Sequence, residues 1–268
     1  MTKSYTLATG RYIYFASDFH LGSPNAEASR TRENELVRWL QHIADDAALI
    51  VLHGDLFDFW FEYDVVIPKG FERFKATLLA LREQSIDIWF FTGNHDMWMF
   101  SYFQEEFGIP IYREPLDVVV NATITLQIGH GDGLGPGDRV YKVLKSIFTN
   151  RFFQWVYRIH HPSFSFWIAQ NWSRLSRDRE EEQERRYLKE KEYLFQYCQA
   201  EERVKHRDFY VFGHRHLAID VPVSENSRYI NTGEWLEKQT FAKLDSIGKL
   251  DLLQWDGGLV KPYVGFTH

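Results

Sequence analysis

A carboxylate and an imidazole stand two residues apart near the start of the chain, in the stretch SDFHLG at residues 17–22. The apolar run YIYFA precedes them and is typical of a buried strand, so Asp18 and His20 would lie at its carboxyl end and point to the same side. Together they could bind a metal ion. An Asp after a strand is more often a turn former, however, and a lone His is more often solvated. The pair alone leaves both interpretations open.

The same arrangement recurs after four further apolar runs, in the stretches GDLFD, GNHD, GHGD and GHRH. These supply Asp55, Asp58, Asn94, His95, Asp96, His130, His214 and His216. Any one stretch, taken alone, is compatible with an ordinary turn or surface loop. Oxygen and imidazole donors without a thiolate suit Mn, Fe or Zn ions. Two such ions side by side clamp both the attacking and the leaving oxygen of an in-line phosphoryl displacement. The repeated pattern therefore predicts a two-metal site.

The elements that position these residues are short apolar runs separated by helical patterns. Five runs end at the polar stretches: YIYFAS, ALIVLHG, IDIWFFTG, TITLQIG and DFYVFG. The segments RENELVRWLQHIA and FERFKATLLALREQ lie between the early runs and carry apolar residues at helical spacing. Buried strands alternating with helices predict an α/β fold. The segments SRYINTG, TFAKLDS and KLDLLQW near the end predict short antiparallel strands.

Composition excludes several classes of protein. The chain has 268 residues, a hydrophobic fraction of 44% and a net charge of −6, with a pI near 6.0. This balance gives no general case for nucleic-acid binding. A single cysteine, Cys198, rules out an intramolecular disulfide framework and a cysteine zinc site. We find no signal-peptide pattern and no apolar run of about 20 residues. These features predict a soluble, cytoplasmic protein.

One segment differs from the rest in composition. From residue 139 to residue 177 there is no Asp or Glu, and seven Lys or Arg residues are interleaved with Phe, Tyr and Trp. The stretch RDREEEQERRYLKEKEYL that follows predicts a solvated helix. We therefore predict a helical insertion over 139–207, between a first core part at 1–138 and a second at 208–268. Its fifteen basic and nine acidic residues give it a charge of +6, which leaves −12 for the core.

The insertion is compatible with three arrangements. The first is an ordinary helical subdomain whose aromatic residues pack inside. The second is a cap over the metals that binds an anionic, lipid-bearing substrate or lies against an anionic membrane surface. The third is a groove for single-stranded nucleic acid, in which aromatic rings stack on bases and basic residues contact phosphates.

The polar stretches, in this order, resemble the pattern of the calcineurin-like metallophosphoesterases: D-x-H, G-D-x-x-D, G-N-H-[DE], H and G-H-x-H. The resemblance covers the chain outside the insertion. It implies a four-layer α/β/β/α sandwich with two metal ions at the strand ends. Seven residues would be the ligands: Asp18, His20 and His216 for one ion, Asn94, His130 and His214 for the other, and Asp55 as the bridge.

The resemblance also implies a catalytic group, formed by Asn94, His95 and Asp96. His95 would stabilise the transferring phosphoryl oxygens or protonate the leaving group, and Asp96 would orient it. Asp58 would shape its loop and support the ligands rather than bind metal. The remaining histidines match no position of the pattern and are predicted to be structural or solvated: His42, His53, His160, His161 and His206.

The contexts SDFHLG, GDLFDFW, GNHDMW and HGDGLGPGDRVY are most similar to the UDP-2,3-diacylglucosamine pyrophosphohydrolases of lipid A biosynthesis. These are peripheral membrane enzymes of Gram-negative bacteria that release UMP and lipid X from their substrate. The resemblance implies two divalent ions, Mn²⁺ in that family, and attack of a metal-bound hydroxide on the α-phosphorus. It implies contacts of Asp138 and Tyr141 with the glucosamine, and a location in the cytoplasm at the inner-membrane surface. The best-described branch has Arg where this chain has His95.

Two alternatives remain open from the sequence. One is a nuclease or cyclic-nucleotide phosphodiesterase on the same core, whose binding would fall steeply with salt. The other is a non-catalytic scaffold with the same fold, which would be expected to lack ligands, whereas all seven positions are filled here. We predict a lipid-linked nucleotide sugar as the substrate, with no nucleic-acid partner and no obligate protein partner.

Overall fold

The computed structural model describes residues 2–137, 139–164 and 187–266. The strands are β1 (Thr2–Tyr5), β2 (Tyr12–Ala16), β3 (Ala47–His53), β4 (Asp87–Phe91), β5 (Ile111–Tyr112), β6 (Leu116–Val120), β7 (Ile124–Ile128), β8 (Phe209–Phe212), β9 (Ala218–Ser224), β10 (Ser227–Thr232), β11 (Thr240–Leu244), β12 (Leu250–Asp256) and β13 (Leu259–Pro262). The helices are α1 (Ala26–Ile43), α2 (Glu72–Glu83), α3 (Tyr102–Phe107), α4 (Arg139–Thr149), α5 (Arg151–Arg158), a 3₁₀ turn (Lys189–Lys191) and α6 (Tyr193–Val204). Every strand and both helices predicted from the core sequence are present.

A seven-stranded sheet contains the first three strands that end at polar stretches. Its strand order is β13-β12-β11-β2-β3-β4-β5. Strands β2 to β5 are parallel, whereas β11, β12 and β13 add an antiparallel edge. Because β2, β3 and β4 run in the same direction, the loops that follow them lie side by side at one edge of the sheet.

A six-stranded sheet contains the other two strands that end at polar stretches, β7 and β8. Its strand order is β1-β6-β7-β8-β10-β9. Strands β7 and β8 are parallel neighbours, with Ile128 opposite Val211. The loops that begin at Gly129 and Gly213 therefore leave the sheet next to each other, and the main-chain N–H of Gly213 donates to the carbonyl of His130 at 2.9 Å.

The two sheets pack face to face between helical layers. Alternation along β2 shows how: Phe15 enters the layer between the sheets, while Tyr14 and Ala16 face the helices. Helices α1, α2 and α3 cover the outer face of the seven-stranded sheet. Helix α6 covers the outer face of the six-stranded sheet through Leu194 and Phe195. This arrangement confirms the predicted α/β fold with a four-layer α/β/β/α sandwich.

The predicted insertion over 139–207 divides into two parts in the described residues. Helices α4 and α5 lie beside the core, where the indole N–H of Trp98 donates to the carbonyl of Phe148 at 2.7 Å. Helix α6, which we placed in the insertion, instead forms the fourth layer of the sandwich because its apolar face is buried on the sheet. The aromatic and charged segment at 165–186 lies outside the described residues. Among those described, no helix is both long and apolar enough to cross a membrane.

Candidate metal centre

The polar stretches from both sheets converge at one place. Asp18, Asp55 and Asn94 follow β2, β3 and β4 in the seven-stranded sheet, and His130 and His214 follow β7 and β8 in the other. A contact between the sheets joins them, because the main-chain N–H of His214 donates to Asp18 Oδ2 at 3.0 Å. The structure thus brings the seven predicted ligands together from five strand ends.

The first group consists of Asp18, His20, Asp55 and His216, with one ligand atom of each within 4.8 Å of those of the others. His216 Nε2 lies 3.2 Å from Asp18 Oδ1 and 3.0 Å from His20 Nε2. His20 Nε2 is 3.9 Å from an oxygen of Asp18 and 3.9 Å from an oxygen of Asp55. These atoms are close enough to one another to be ligands of one cation.

The second group consists of Asp55, His130 and His214, again within 4.8 Å of one another. His130 Nε2 lies 3.3 Å from Asp55 Oδ2 and 3.2 Å from Asn94 Oδ1, so the predicted amide ligand joins this group. Asp55 belongs to both groups. Its carboxylate stands between them, where a bridging ligand would stand.

The backbone at these positions is strained. Five predicted ligands have a positive φ: 57° at Asp18, 44° at His20, 52° at Asp55, 68° at His214 and 50° at His216. For a residue with a side chain the left-handed conformation costs about 1 kcal/mol or more. Such strain persists only where surrounding contacts enforce it, and it is concentrated at functional sites.

Two glycines permit the close approach of the ligands. A Cβ on Gly93 would lie 2.2 Å from Asp55 Oδ1 and 2.6 Å from the Asp55 nitrogen. A Cβ on Gly54 would lie 2.4 Å from His130 Nδ1, and the φ of Gly54 is +103°. Space therefore requires a glycine at both positions, and at Gly54 the left-handed conformation requires it as well.

The electrostatics of the centre favour a cation. Burial lowers the pKa of His130, but the Asp55 carboxylate outweighs it and raises that pKa to about 10. Burial by itself would raise the pKa of Asp18. The hydrogen bond from His216 and the charge of His130 nevertheless hold the pKa of this carboxyl below its usual range. Buried carboxylates that hold protons on neighbouring imidazoles would also attract a metal cation.

Asp96 does not orient His95, which corrects the sequence prediction. The two Asp96 oxygens accept main-chain hydrogen bonds from Leu56 at 2.8 Å and from Gly93 at 2.7 Å. The side chain is fully buried, and burial, followed by the charge of Asp55, raises its pKa to about 7. Asp96 thus joins the loop after β3 to the loop after β4.

His95 is held instead by the loop of Asp58. Its Nδ1 donates to the main-chain carbonyl of Asp58 at 2.9 Å, and its main-chain N–H donates to Asp55 Oδ1 at 2.9 Å. Asp58 Oδ1 lies 4.0 Å from His95 Nδ1 and 3.9 Å from His20 Nδ1. His20, Asp58 and His95 thus form a third group whose possible ligand atoms lie within 4.8 Å of one another, and the supporting role of Asp58 stays a prediction.

A buried chain of hydroxyl groups reaches Asp18 from the side of the core. Ser17 Oγ donates to Asp18 Oδ2 and lies 3.0 Å from Thr232 Oγ1, which in turn lies 3.1 Å from His53 Nε2. The sequence predicts His53 to be structural or solvated, and it singles out neither Ser17 nor Thr232. The position of Ser17 directly before Asp18 is the one signal in the sequence, and nothing marks Thr232.

Helix α4 is joined to the centre through Asp132. Tyr141, predicted to contact substrate, donates to Asp132 Oδ2 at 2.6 Å, and Lys145 Nζ lies 2.7 Å from the same oxygen. The Tyr141 ring is 6.4 Å from that of His214. Sequence analysis missed Asp132, although it ends the stretch GHGD. Asp138, the other predicted substrate contact, lies outside the described residues.

The residues fit a pair of divalent cations. The donors are carboxylate, amide and imidazole atoms, a set that suits borderline divalent ions. The Nδ1 of His130 donates to the carbonyl of His53 at 3.0 Å, which directs Nε2 toward Asp55 and Asn94, as is usual for a metal-binding histidine. His20 Nδ1 is buried without a hydrogen-bond partner among the described residues. The candidate ligand groups are therefore compatible with metal on both sides of Asp55.

Comparison with known proteins agrees with the fold. The sequence model of the calcineurin-like phosphoesterase family matches residues 12–218. The chain belongs to this family, and it is accordingly a metallophosphoesterase and a hydrolase, as the motifs predicted.

Two individual relatives point to a narrower group within this family. A protein of Porphyromonas gingivalis named UDP-2,3-diacylglucosamine hydrolase is 32% identical over 247 residues, which cover 87% of this chain and 94% of that protein. A protein of Actinobacillus succinogenes with the same name is 31% identical over 171 residues, which cover 62% of this chain and 69% of the relative. These similarities confirm the resemblance that the motif contexts indicated.

Proposed function

We propose that this chain hydrolyses the pyrophosphate bond of UDP-2,3-diacylglucosamine, releasing UMP and 2,3-diacylglucosamine 1-phosphate (lipid X) in lipid A biosynthesis. One observation carries the proposal: Asp55 is shared by two groups of candidate ligands, one with Asp18, His20 and His216 and one with His130 and His214, as a carboxylate bridging two ions would be. The choice of substrate is supported by the relative of P. gingivalis, which is named for this substrate and is matched along 94% of its length.

The proposed ligand assignment is supported by these two groups and by the contact of Asn94 with His130. Asp18, His20 and His216 would hold one ion, Asn94, His130 and His214 the other, with Asp55 between them, and Mn²⁺ is the ion that we propose. When bound, such a pair supplies Lewis acidity toward phosphate oxygens and lowers the pKa of coordinated water. The protein contributes rigid positioning. Ser17 and the main-chain N–H of His214, for example, both donate to Asp18.

His95 is the residue that we propose for proton transfer. Because its Nδ1 hydrogen is used by the carbonyl of Asp58, the remaining nitrogen, Nε2, is the one that would face substrate. Burial lowers the pKa of His95, but the charges of Asp55 and Asp58 outweigh this effect and raise it. A protonated ring would donate from Nε2 to a phosphoryl oxygen or give its proton to the departing phosphate.

The helices beside the centre supply features that an acylated nucleotide sugar requires. On α5, Phe152 and Trp155 are 61% and 57% exposed, and Arg151 lies next to them in the sequence. Apolar rings suit acyl chains, and cations suit phosphates. We propose that Tyr141 and Asp138 contact the glucosamine, with Tyr141 already directed by Asp132.

The substrate also determines where the enzyme would work. A lipid with two acyl chains resides in a membrane, so we propose that the protein is cytoplasmic and associates with the inner-membrane surface through the insertion. The acidic core, with a net charge of −12 outside 139–207, disfavours a polynucleotide substrate. We propose no nucleic-acid partner and no obligate protein partner.

One comparison of substrates tests the proposal. The purified protein is incubated with Mn²⁺ and UDP-2,3-diacylglucosamine, and in parallel with unacylated UDP-sugars, a generic phosphodiester and single-stranded DNA. We expect UMP from the acylated substrate alone, with detergent dependence. Cleavage of DNA that is lost with salt would instead indicate a nuclease. Stoichiometric Mn²⁺ binding without turnover of any substrate would indicate a scaffold.

A further inference from the structure

A buried ion pair holds the loop that carries two of the candidate ligands. Arg215 stands between His214 and His216 in the stretch GHRH. Its Nε lies 2.6 Å from Glu192 Oε1, and its Nη2 lies 3.2 Å from Glu192 Oε2. The Glu192 side chain is fully buried and that of Arg215 is 7% exposed. This two-pronged geometry fixes the plane of the guanidinium as well as its position.

The loop needs such a restraint because its backbone is strained on both sides of Arg215. The φ angles are 68° at His214 and 50° at His216, and the Arg215 N–H donates to the carbonyl of Gly213 at 2.8 Å in a tight turn. Left-handed conformations at two residues with side chains persist only where contacts from outside the loop enforce them. The Arg215 side chain supplies one such contact, because it links the loop to Glu192.

Glu192 is itself well anchored. It directly precedes α6, whose Leu194 and Phe195 are buried on the six-stranded sheet, and its carbonyl accepts the N–H of Gln196 in the first turn. Its neighbour Glu190 is exposed. The ion pair therefore connects the end of the segment 187–192, directly before α6, with the loop after β8.

We propose that Glu192 is a positioning residue for the metal centre. Through Arg215 it fixes the directions in which His214 and His216 present their rings. The inference rests on the proposed two-metal function, in which His214 serves one ion and His216 the other. Loss of the pair should therefore weaken both ions, by 10- to 100-fold in affinity, as is typical when a partner that orients a ligand is removed.

A similar two-pronged ion pair lies at the other end of β8. Arg207 precedes β8, the strand that Arg215 follows, and its Nε lies 2.6 Å from Asp117 Oδ1 while its Nη2 lies 3.1 Å from Asp117 Oδ2. Among the described residues, the side chains of Lys205 and Gln127 also hydrogen-bond to the Asp117 carboxylate. Asp117→Asn thus breaks a similar two-pronged pair in the same sheet without touching a loop that carries ligands.

The test is a calorimetric titration of Mn²⁺ into chelator-treated full-length protein, with the Mn²⁺ electron paramagnetic resonance spectrum recorded at saturation. Four proteins are compared: wild type, Glu192→Gln, the exposed control Glu190→Gln and the structural control Asp117→Asn. We expect two ions and a spin-coupled spectrum for wild type and both controls. For Glu192→Gln we expect at least a 10-fold loss of affinity and loss of the coupled signal. Should this variant not fold, Arg215→Lys, which keeps the charge but not the two-pronged contact, carries the same expectation.

The outcomes separate this inference from the proposed function. If wild type binds no Mn²⁺ or a single ion, the two-metal function is wrong. If wild type binds two ions and Glu192→Gln binds them with equal affinity and the same spectrum, the positioning role is wrong while the metal centre stands. An equal loss in Asp117→Asn and Glu192→Gln would also overturn the inference, because it would show a general effect of destabilising the sheet.

Discussion

Replacing Gly93 by alanine should disable the metal centre through one methyl group. Gly93 does not have a left-handed φ, so its backbone accepts alanine without conformational strain. The new Cβ, however, would lie 2.2 Å from Asp55 Oδ1, 2.6 Å from the Asp55 nitrogen and 2.8 Å from Asp55 Cγ. Two of these three atoms belong to the carboxylate that we propose as the bridge.

The size of the effect follows from these distances. Ordinary van der Waals contact begins at 3.4 Å, so Asp55 Oδ1 would have to retreat by about 1.2 Å, the difference from 2.2 Å. The same oxygen accepts the main-chain N–H of His95 at 2.9 Å, and that bond would be lost. Overpacking of this kind costs about 1–3 kcal/mol of folding stability. A displacement of about 1 Å at a reacting centre lowers turnover roughly 100-fold.

The assay compares kcat/KM, Mn²⁺ stoichiometry and the free energy of unfolding of the metal-free protein. Ile50→Val is the control, since Ile50 is buried in β3 among the helices and the loss of one methyl group costs about 0.5–1.5 kcal/mol. We expect both variants to fold and Gly93→Ala alone to lose turnover. If Gly93→Ala binds two Mn²⁺ ions and turns over within twofold of wild type, Asp55 is not held where the structure has it.

Three further predictions concern the centre and its link to α4. Asn94→Ala, which removes the oxygen 3.2 Å from His130 Nε2, should lower kcat at least about 100-fold with an unchanged circular dichroism spectrum; full activity would refute the ligand assignment. Asp132→Ala, which removes the partner of Tyr141 and Lys145, should raise KM about 10-fold, equivalent to about 1.4 kcal/mol of binding, with a smaller change in kcat; an unchanged KM would contradict it. Chelation should abolish turnover and lower the melting temperature, because it leaves the buried carboxylates of Asp18 and Asp55 without a cation. Mn²⁺ at 100 times its Kd should restore about 2.7 kcal/mol of folding free energy. Equal melting curves with and without Mn²⁺ would count against the site.

The metal centre was predictable because the ends of buried strands can be recognised in the sequence. Each of the five apolar runs ends where its strand ends, and the structure places the residue types that bind metal within the next few positions, from Asp18 after β2 to His214 after β8. Parallel strands bring such residues to one edge whatever the length of the connecting segment. The glycines in the same stretches mark the close approaches that the centre requires.

The features of the site that the sequence did not predict depend on contacts between segments far apart in the chain. Asp96 was predicted to orient His95 because the two are adjacent, but its oxygens accept hydrogen bonds from Leu56 and Gly93. Thr232 contacts Ser17, which is 215 positions away in the sequence, and no local sequence pattern predicts such a contact. The boundary of the insertion was also beyond a sequence prediction, since the apolar spacing of α6 does not say which surface it covers.

The two sheets must keep their relative position for the bridge to form, because the candidate ligands come from both. The contact of the His214 N–H with Asp18 Oδ2 crosses from one sheet to the other, above a shared layer that includes Phe15 and Val211. The insertion leaves the core after His130 and returns before His214, both at the ends of strands in the six-stranded sheet. Two contacts link the ends of the insertion to the loops of these two ligands, through Asp132 at the start and Glu192 at the return. The insertion also contacts the loop after β4 of the other sheet, because the indole N–H of Trp98 donates to the carbonyl of Phe148 at 2.7 Å. A change in the insertion is therefore transmitted to the ligand loops of both sheets.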